Sequence, residues 1–197
     1  MSPSYVLDFN SINFYFDLLS KISAGKRGVG GSDEILFLPS QFLLKVVEGD
    51  KVSAASLLEK DPFCFDLVVM PLEYENKWIL LILDNRNIVA KKGFSFLRYY
   101  SLVHSVSIPF FVNDVMLFLI SNYLRRYSTN DKRSISLPKV LMKYDLFDDF
   151  PNHHDLFVCC VARSFVTGKS FDKNPAQITD LKDELISDFE LFEGGAL

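Results

Sequence analysis

The sequence predicts an α+β domain in which a central mixed sheet is packed by helices around one buried helix. Three observations carry this expectation. The runs Asp66 to Pro71 and Trp78 to Leu83 are apolar and β-rich and are separated by the polar turn Glu73 to Lys77, the pattern of central strands buried on both faces. Phe110 to Tyr127 is long enough for a helix of about five turns. Leu156 to Ala162 carries no polar side chain, so a helix there is apolar all round and is expected to be buried on every side. Asp155 suits the start of that helix and Gly168 its stop.

In chain order, Ile12, Phe16 and Leu19 recur at helical spacing with Tyr15 and Leu18, which predicts a helix over roughly 10 to 22. The glycine-rich stretch Lys26 to Ser32 lacks the Gly-Lys-Ser/Thr ending of a phosphate loop and follows a helix rather than a strand, so it reads as a connector. Pro39 opens a second helix backed by Phe42, Leu43, Val46 and Val47, and Ala54 to Leu58 a short third one. Ile88 to Lys91 is the expected third strand. Val112, Val115, Leu119 and Tyr123 give the long helix one apolar face, and Arg125 and Arg126 near its end complement the helix dipole. Ile135 to Leu141 returns the chain to the sheet, and Pro138 favours an edge position. Ile178, Leu181, Leu185, Ile186 and Phe189 form a closing amphipathic helix.

The 197 residues are expected to form a single domain over 1–197, and a hydrophobic content of 49% with 19 Phe fills its core readily. A formal net charge of −4 argues against a general binder of nucleic acid backbones. No basic region followed by an apolar run marks the N-terminus, and Trp78 to Leu83 is too short to cross a bilayer, so no membrane is expected as a partner. Cys64, Cys159 and Cys160 lack CxxC spacing, which points away from a disulfide framework or zinc site and towards a reducing compartment, cytoplasmic or nuclear.

Other chemistry-bearing residues have plainer readings. Cys159 and Cys160 lie about one turn into the apolar helix and read as small buried hydrophobes. His153, His154 and His104 have no ligand cluster at metal spacing, and no metal or cofactor is expected. Asp148 and Asp149 read as solvated loop acids. Thr167-Gly168-Lys169-Ser170 ends like a phosphate loop, yet Arg163 stands where its first glycine belongs.

Four local words then resemble one family in the right order. Val6-Leu7-Asp8-Phe9-Asn10 is similar to the Trp-Leu-Asn-Asp-type start of the first helix of the Ulp/SENP SUMO-specific cysteine proteases. Leu36 to Phe42 resembles the segment before that family's second helix. Asp66 to Pro71 followed by Lys77-Trp78 to Asp84 resembles its strand, Pro, turn, His-Trp, strand, Asp pattern. Pro151 to Val158 resembles its Gln-x-Asn-Gly-x-Asp-Cys-Gly segment. The resemblance spans about residues 6 to 192 and implies a papain-like fold.

Departures from the family pattern decide the expected function. The resemblance puts Lys77 where the family has its general-base His, and a position near Lys92 or Gly93 where it has the orienting Asp. Phe150 stands for the oxyanion-stabilising Gln and Leu156 for the nucleophilic Cys, with Phe157 in place of the following Gly. A thiolate nucleophile and a base to generate it are indispensable to this chemistry, so no catalytic residue is assigned and a pseudoprotease is expected. Of the two Trp side chains that sandwich a diglycine tail in the family, Trp78 is kept and Val6 replaces the other. Trp78 on a strand also reads plainly as core. The expected role is a protein interaction module or scaffold, nuclear by resemblance, whose partner is a protein, a ubiquitin-like modifier among the candidates. Candidate contacts are Trp78, Glu73, Tyr74, Glu75 and Phe157, the loop before Leu156, and Tyr99 and Tyr100 as exposed aromatics. A divergent hydrolase using Cys159 or Cys160 is the alternative.

Overall fold

The computed structural model describes residues 9–25, 34–89, 93–102, 110–127, 139–147, 154–169, 171 and 183–190. Helix α1 spans Phe9–Gly25, strand β1 Ile35–Phe37, α2 Ser40–Val47, α3 Lys51–Ser56, β2 Leu67–Tyr74, β3 Lys77–Asp84, α4 Arg86–Val89, β4 Phe94–Leu102, α5 Phe111–Tyr127, β5 Lys139–Phe147 and α6 His154–Thr167. A further helix, α7, covers 183–190. The strands form one sheet in the order β1-β2-β3-β4-β5. Its outer pairs, β1 with β2 and β4 with β5, are parallel, and β2-β3-β4 is antiparallel. This is the expected mixed sheet.

The pleat sends alternate side chains of the central strands to opposite faces. Leu67, Val69, Trp78, Leu80 and Ile82 join α1 and α6 in one core, whereas Val68, Met70, Leu72, Ile79, Leu81 and Leu83 join α2, α3 and α5 in the other. Both faces of β2 and β3 are therefore covered, as their unbroken apolar runs require. Pro71 is tolerated inside β2 because β1 pairs only with Leu67, Val68 and Val69. At Pro71 the ladder on that side has already ended, so a missing N–H costs no strand bond.

The β2-β3 turn is narrower than the polar stretch Glu73 to Lys77 suggests. Tyr74 pairs with Lys77 and only Glu75 and Asn76 lie between the strands. Both have positive φ, 51° and 58°, the backbone of a two-residue type I′ hairpin. Asp50 caps α3 by accepting from the Ser53 N–H at 3.1 Å.

Three expectations are adjusted by the chain after β3. Of the expected strand Ile88 to Lys91, Ile88 and Val89 are helical and the rest lies outside the described residues: α4 covers Arg86–Val89 and β4 starts at Phe94. The cause is local, since the Asp84 carboxylate accepts from the Arg86 backbone at 3.3 Å and turns the chain. Tyr99 and Tyr100 are 4% and 6% exposed, because they point to opposite faces of the sheet and each joins one of the two cores; they are core aromatics. The expected strand Ile135 to Leu141 is met over Lys139 to Leu141 but runs on to Phe147, at the expected edge position; residues 135–138 lie outside the described residues.

Asp155 lies within the first turn of α6, whose helix begins at His154, so it is not the cap. Gly168 does end the helix, at φ 69°, the left-handed conformation that favours glycine. From Asp155 to Ala162 every residue of α6 is buried, which bears out the all-round apolar reading. Ile178 and Leu181 lie outside the described residues, and Leu185 is buried against the α1-α6 core.

Candidate functional site

The N-terminal turn of α6 and the start of β3 meet in one core cluster, which includes Trp78, Leu156, Phe157, Cys159 and Cys160. Leu156, at the position the family resemblance gives to a nucleophile, is 3% exposed, and Phe157 is fully buried. The Phe157 ring meets Phe171 edge-on at 5.8 Å. Two apolar side chains thus occupy the turn at which a helix N-terminus would otherwise stabilise an anion.

Trp78 is 6% exposed. Its ring packs into the α1-α6 core, in line with the plain reading of Trp78 as core. Phe157 is buried in the same core. Tyr74 is half-buried and its ring lies 5.1 Å from that of Phe111, so packing accounts for it. Glu73 and Glu75 are exposed at the hairpin end and remain available to a partner. Lys77 is half-buried at the foot of β3. Val6, Lys92, His104, Asp148, Asp149, Phe150 and His153 lie outside the described residues.

Both α6 cysteines are fully buried. Burial, together with the neighbouring Cys160 and Asp155, pushes the Cys159 thiol well above its ordinary range, the opposite of what a nucleophilic thiolate needs. Cys64 is exposed. Among the described residues no group of three His, Cys, Asp or Glu is placed to hold a metal, and no helix is long and apolar enough to cross a membrane.

The remaining candidates resolve into structural roles. Arg125 donates to the Asn122 side chain at 3.2 Å, and Arg126 donates to the Leu58 carbonyl, tying α5 to the end of α3. Lys169 pairs with Glu184, and Ser170 lies outside the described residues. A groove of about 430 Å³ runs between α1 and the β1-α2 junction, lined by Asn10, Asn13, Asp17, Phe37, Gln41 and Pro71 among others.

Sequence reasoning missed two polar clusters. Arg163 of α6 pairs with Asp188 and, at 3.1 Å, with Glu184, while Tyr15 donates to Asp188 at 3.1 Å. The signal for it was the one arginine that interrupts an apolar helix. At the other cluster Asp84, 3% exposed, accepts from Arg86 Nε at 2.9 Å and from its terminal nitrogen at 2.7 Å, with Arg98 Nε 3.4 Å away. Burial pushes the Asp84 carboxyl up, but the hydrogen bonds and charge of Arg86, aided by Arg98, outweigh it and hold it below the usual carboxylate range.

No protein-family model and no curated protein sequence matches the chain. Solved structures do. A de-sumoylating protease superposes with a TM-score of 0.65 at 19% identity, covering 95% of this chain and 75% of its own. The catalytic domain of the Chaetomium thermophilum Ulp1-like SUMO protease gives 0.64 at 12% identity over 92% and 71%. The Ulp1 protease domain in complex with Smt3, the yeast ortholog of SUMO, gives 0.54 at 12% over 93% and 76%. What is shared at such low identity, from the first helix to the buried one, is architecture: this chain has the papain-like fold of the Ulp/SENP SUMO proteases.

Proposed function

We propose that this SUMO-protease-like domain is catalytically inactive and serves as a protein interaction module or scaffold. One observation carries the reading: Leu156, at the position where the resemblance expects the nucleophile, is 3% exposed and packed into the core. Supporting it, Lys77 stands in place of an imidazole base, and both cysteines on α6 are sealed from solvent. A buried thiol with a raised pKa is a poor attacking group, which weighs against a divergent hydrolase using Cys159 or Cys160.

The partner we favour is a ubiquitin-like modifier or a protein carrying one, since the related Ulp1 domain is in complex with Smt3. It would dock on the outer surface rather than thread a tail past Trp78, because that ring lies in the core. Glu73 and Glu75 on the hairpin and the groove beside α1 offer exposed polar contacts.

The test incubates the purified chain with SUMO and ubiquitin-like precursors and with a modifier bearing a thiol-reactive C-terminal electrophile. No processing and no adduct on Cys159 or Cys160 are expected, whereas turnover or such an adduct overturns the inactive reading. Titration with unmodified SUMO, followed by amide NMR, tests the partner. Shifts clustered on the hairpin or the groove are expected, and their absence at high concentration removes the modifier from the proposal.

A further inference from the structure

The opposite end of α6 borders a cavity of about 290 Å³. Three cationic side chains converge on it: Arg86 from α4, Arg98 from β4, and Lys169 just past the end of α6; none of the described lining residues is a carboxylate. The carboxylates that balance them stand behind the wall. Asp84 is taken up by the two hydrogen bonds from Arg86, which leaves Arg98 in second place. Arg98 Nε is 3.4 Å from Asp84, and its Nη1 is 3.9 Å from Asp145. Arg98 Nε is buried with no hydrogen-bond partner among the described residues, as is the acceptor Asp145 Oδ2. A guanidinium donor without an acceptor at a cavity wall is costly unless something enters to accept from it, and Asp145 sets a limit on how close an anion can come to its side of the wall.

Other features of the wall suit an anion. Lys169 shares Glu184 with Arg163 and is itself exposed, so it can turn inward. The cations also face the negative end of α6, which they must offset; there the Thr167 hydroxyl shares its one proton between the Arg163 and Ser164 carbonyls at 3.0 and 3.4 Å. Burial pushes the Tyr100 hydroxyl up to about 12, so it keeps its proton near neutrality and can donate. Phe165 and Phe171 supply an apolar side to the cavity.

We propose that this cavity binds a small phosphate monoester, with its phosphoryl oxygens on Arg98, Arg86 and Lys169 and its organic part against Phe165 and Phe171. Three cations converge on a cavity whose described lining holds no carboxylate, and the guanidinium fork matches phosphate geometry. The volume lies near the lower limit of ligand pockets and suits a one-ring ester. The assignment does not depend on whether the other end of α6 is inactive.

The experiment uses the whole chain and follows arginine Nε–H and backbone NMR signals during titration with phenyl phosphate and with inorganic phosphate, at physiological ionic strength. Saturable shifts of Arg98 and Tyr100 are expected, with phenyl phosphate binding several-fold tighter. Arg98→Gln and, separately, the exposed-site variant Lys169→Gln should each weaken it, Arg98→Gln by about ten-fold or more, while Arg125→Gln on α5 leaves it unchanged. Lys169→Gln keeps the test decisive should Arg98→Gln unfold. Non-saturating shifts spread over surface arginines, equal affinity for the two phosphates, or unchanged binding in Lys169→Gln would overturn the proposal.

Discussion

Asp188→Ala probes what holds the buried helix in place. Asp188 lies on α7 and receives hydrogen bonds from Tyr15 on α1 and Arg163 on α6, so one carboxylate joins three helices. Tyr15 is fully buried, and the Arg163 and Asp188 side chains are each 13% exposed. Removing the carboxylate does not leave Arg163 wholly unpaired, since Glu184 remains at 3.1 Å. The full penalty for an orphaned buried charge, about 3–5 kcal/mol, is therefore too large for this site. Losing one charge-assisted bond costs about 1.5–3 kcal/mol, and a stranded tyrosine hydroxyl adds about 1 kcal/mol, so the expected loss is about 2.5–4 kcal/mol. Tyr15→Phe alone leaves the ion pair intact and should cost about 1 kcal/mol. In the Asp188→Ala background the same change removes a hydroxyl already without its acceptor and should be close to neutral, a coupling of about 1 kcal/mol. Urea unfolding followed by fluorescence reads this directly, because the single tryptophan, Trp78, sits in the same core. A loss under about 0.5 kcal/mol for Asp188→Ala, or equal cost of Tyr15→Phe in both backgrounds, refutes the argument.

Three further outcomes are expected. Asp84 has a depressed folded-state pKa, so its contribution to stability is present above the unfolded carboxylate value of about 3.9 and is lost as pH falls through the folded one; Asp84→Asn should flatten that acid limb of a stability-versus-pH curve and lower stability at neutral pH. The Asn85 amide donates to the Pro62 and Phe65 carbonyls at 2.9 and 2.8 Å and is fully buried. Asn85→Asp turns both bonds into repulsions and should cost more than Asn85→Ala in thermal unfolding, by about 1 kcal/mol or more. Phe157→Ala removes a fully buried ring and should cost about 3–5 kcal/mol in urea unfolding; a loss of partner affinity at unchanged stability would return Phe157 to the binding surface.

What could be read from the sequence followed from periodicity and run length. The apolar runs of β2 and β3 announced strands covered on both faces, and Leu156 to Ala162 announced a helix buried all round, because each pattern admits one environment. The misreadings have a common origin. Tyr99 and Tyr100 look like surface aromatics until both faces of β4 are known to be covered by the two cores, and the register of β3 places Trp78 on the face towards α6. The short helix α4 depends on a side chain, that of Asp84, folding back on its own backbone, which hydrophobic periodicity does not register. The Arg163 cluster joins residues far apart in the chain, Tyr15 with Asp188 among them, and only the fold brings them together.

The replaced turn also bears on why the architecture persists. A cysteine hydrolase must keep a polar, hydrated nucleophile and its donors at the start of this helix, an arrangement that typically costs stability in return for activity. In this chain Leu156 and Phe157 extend the core into that turn, and burying such side chains contributes about 1.5–3 kcal/mol each. Placing Cys at 156 and Gly at 157 would forfeit that burial and add the helix penalty of glycine, about 1 kcal/mol. It would still leave Lys77 where the resemblance expects a base. On the inactive reading proposed above, absence of the chemistry and consolidation of the core reinforce each other, so installing a nucleophile at this turn runs uphill in stability.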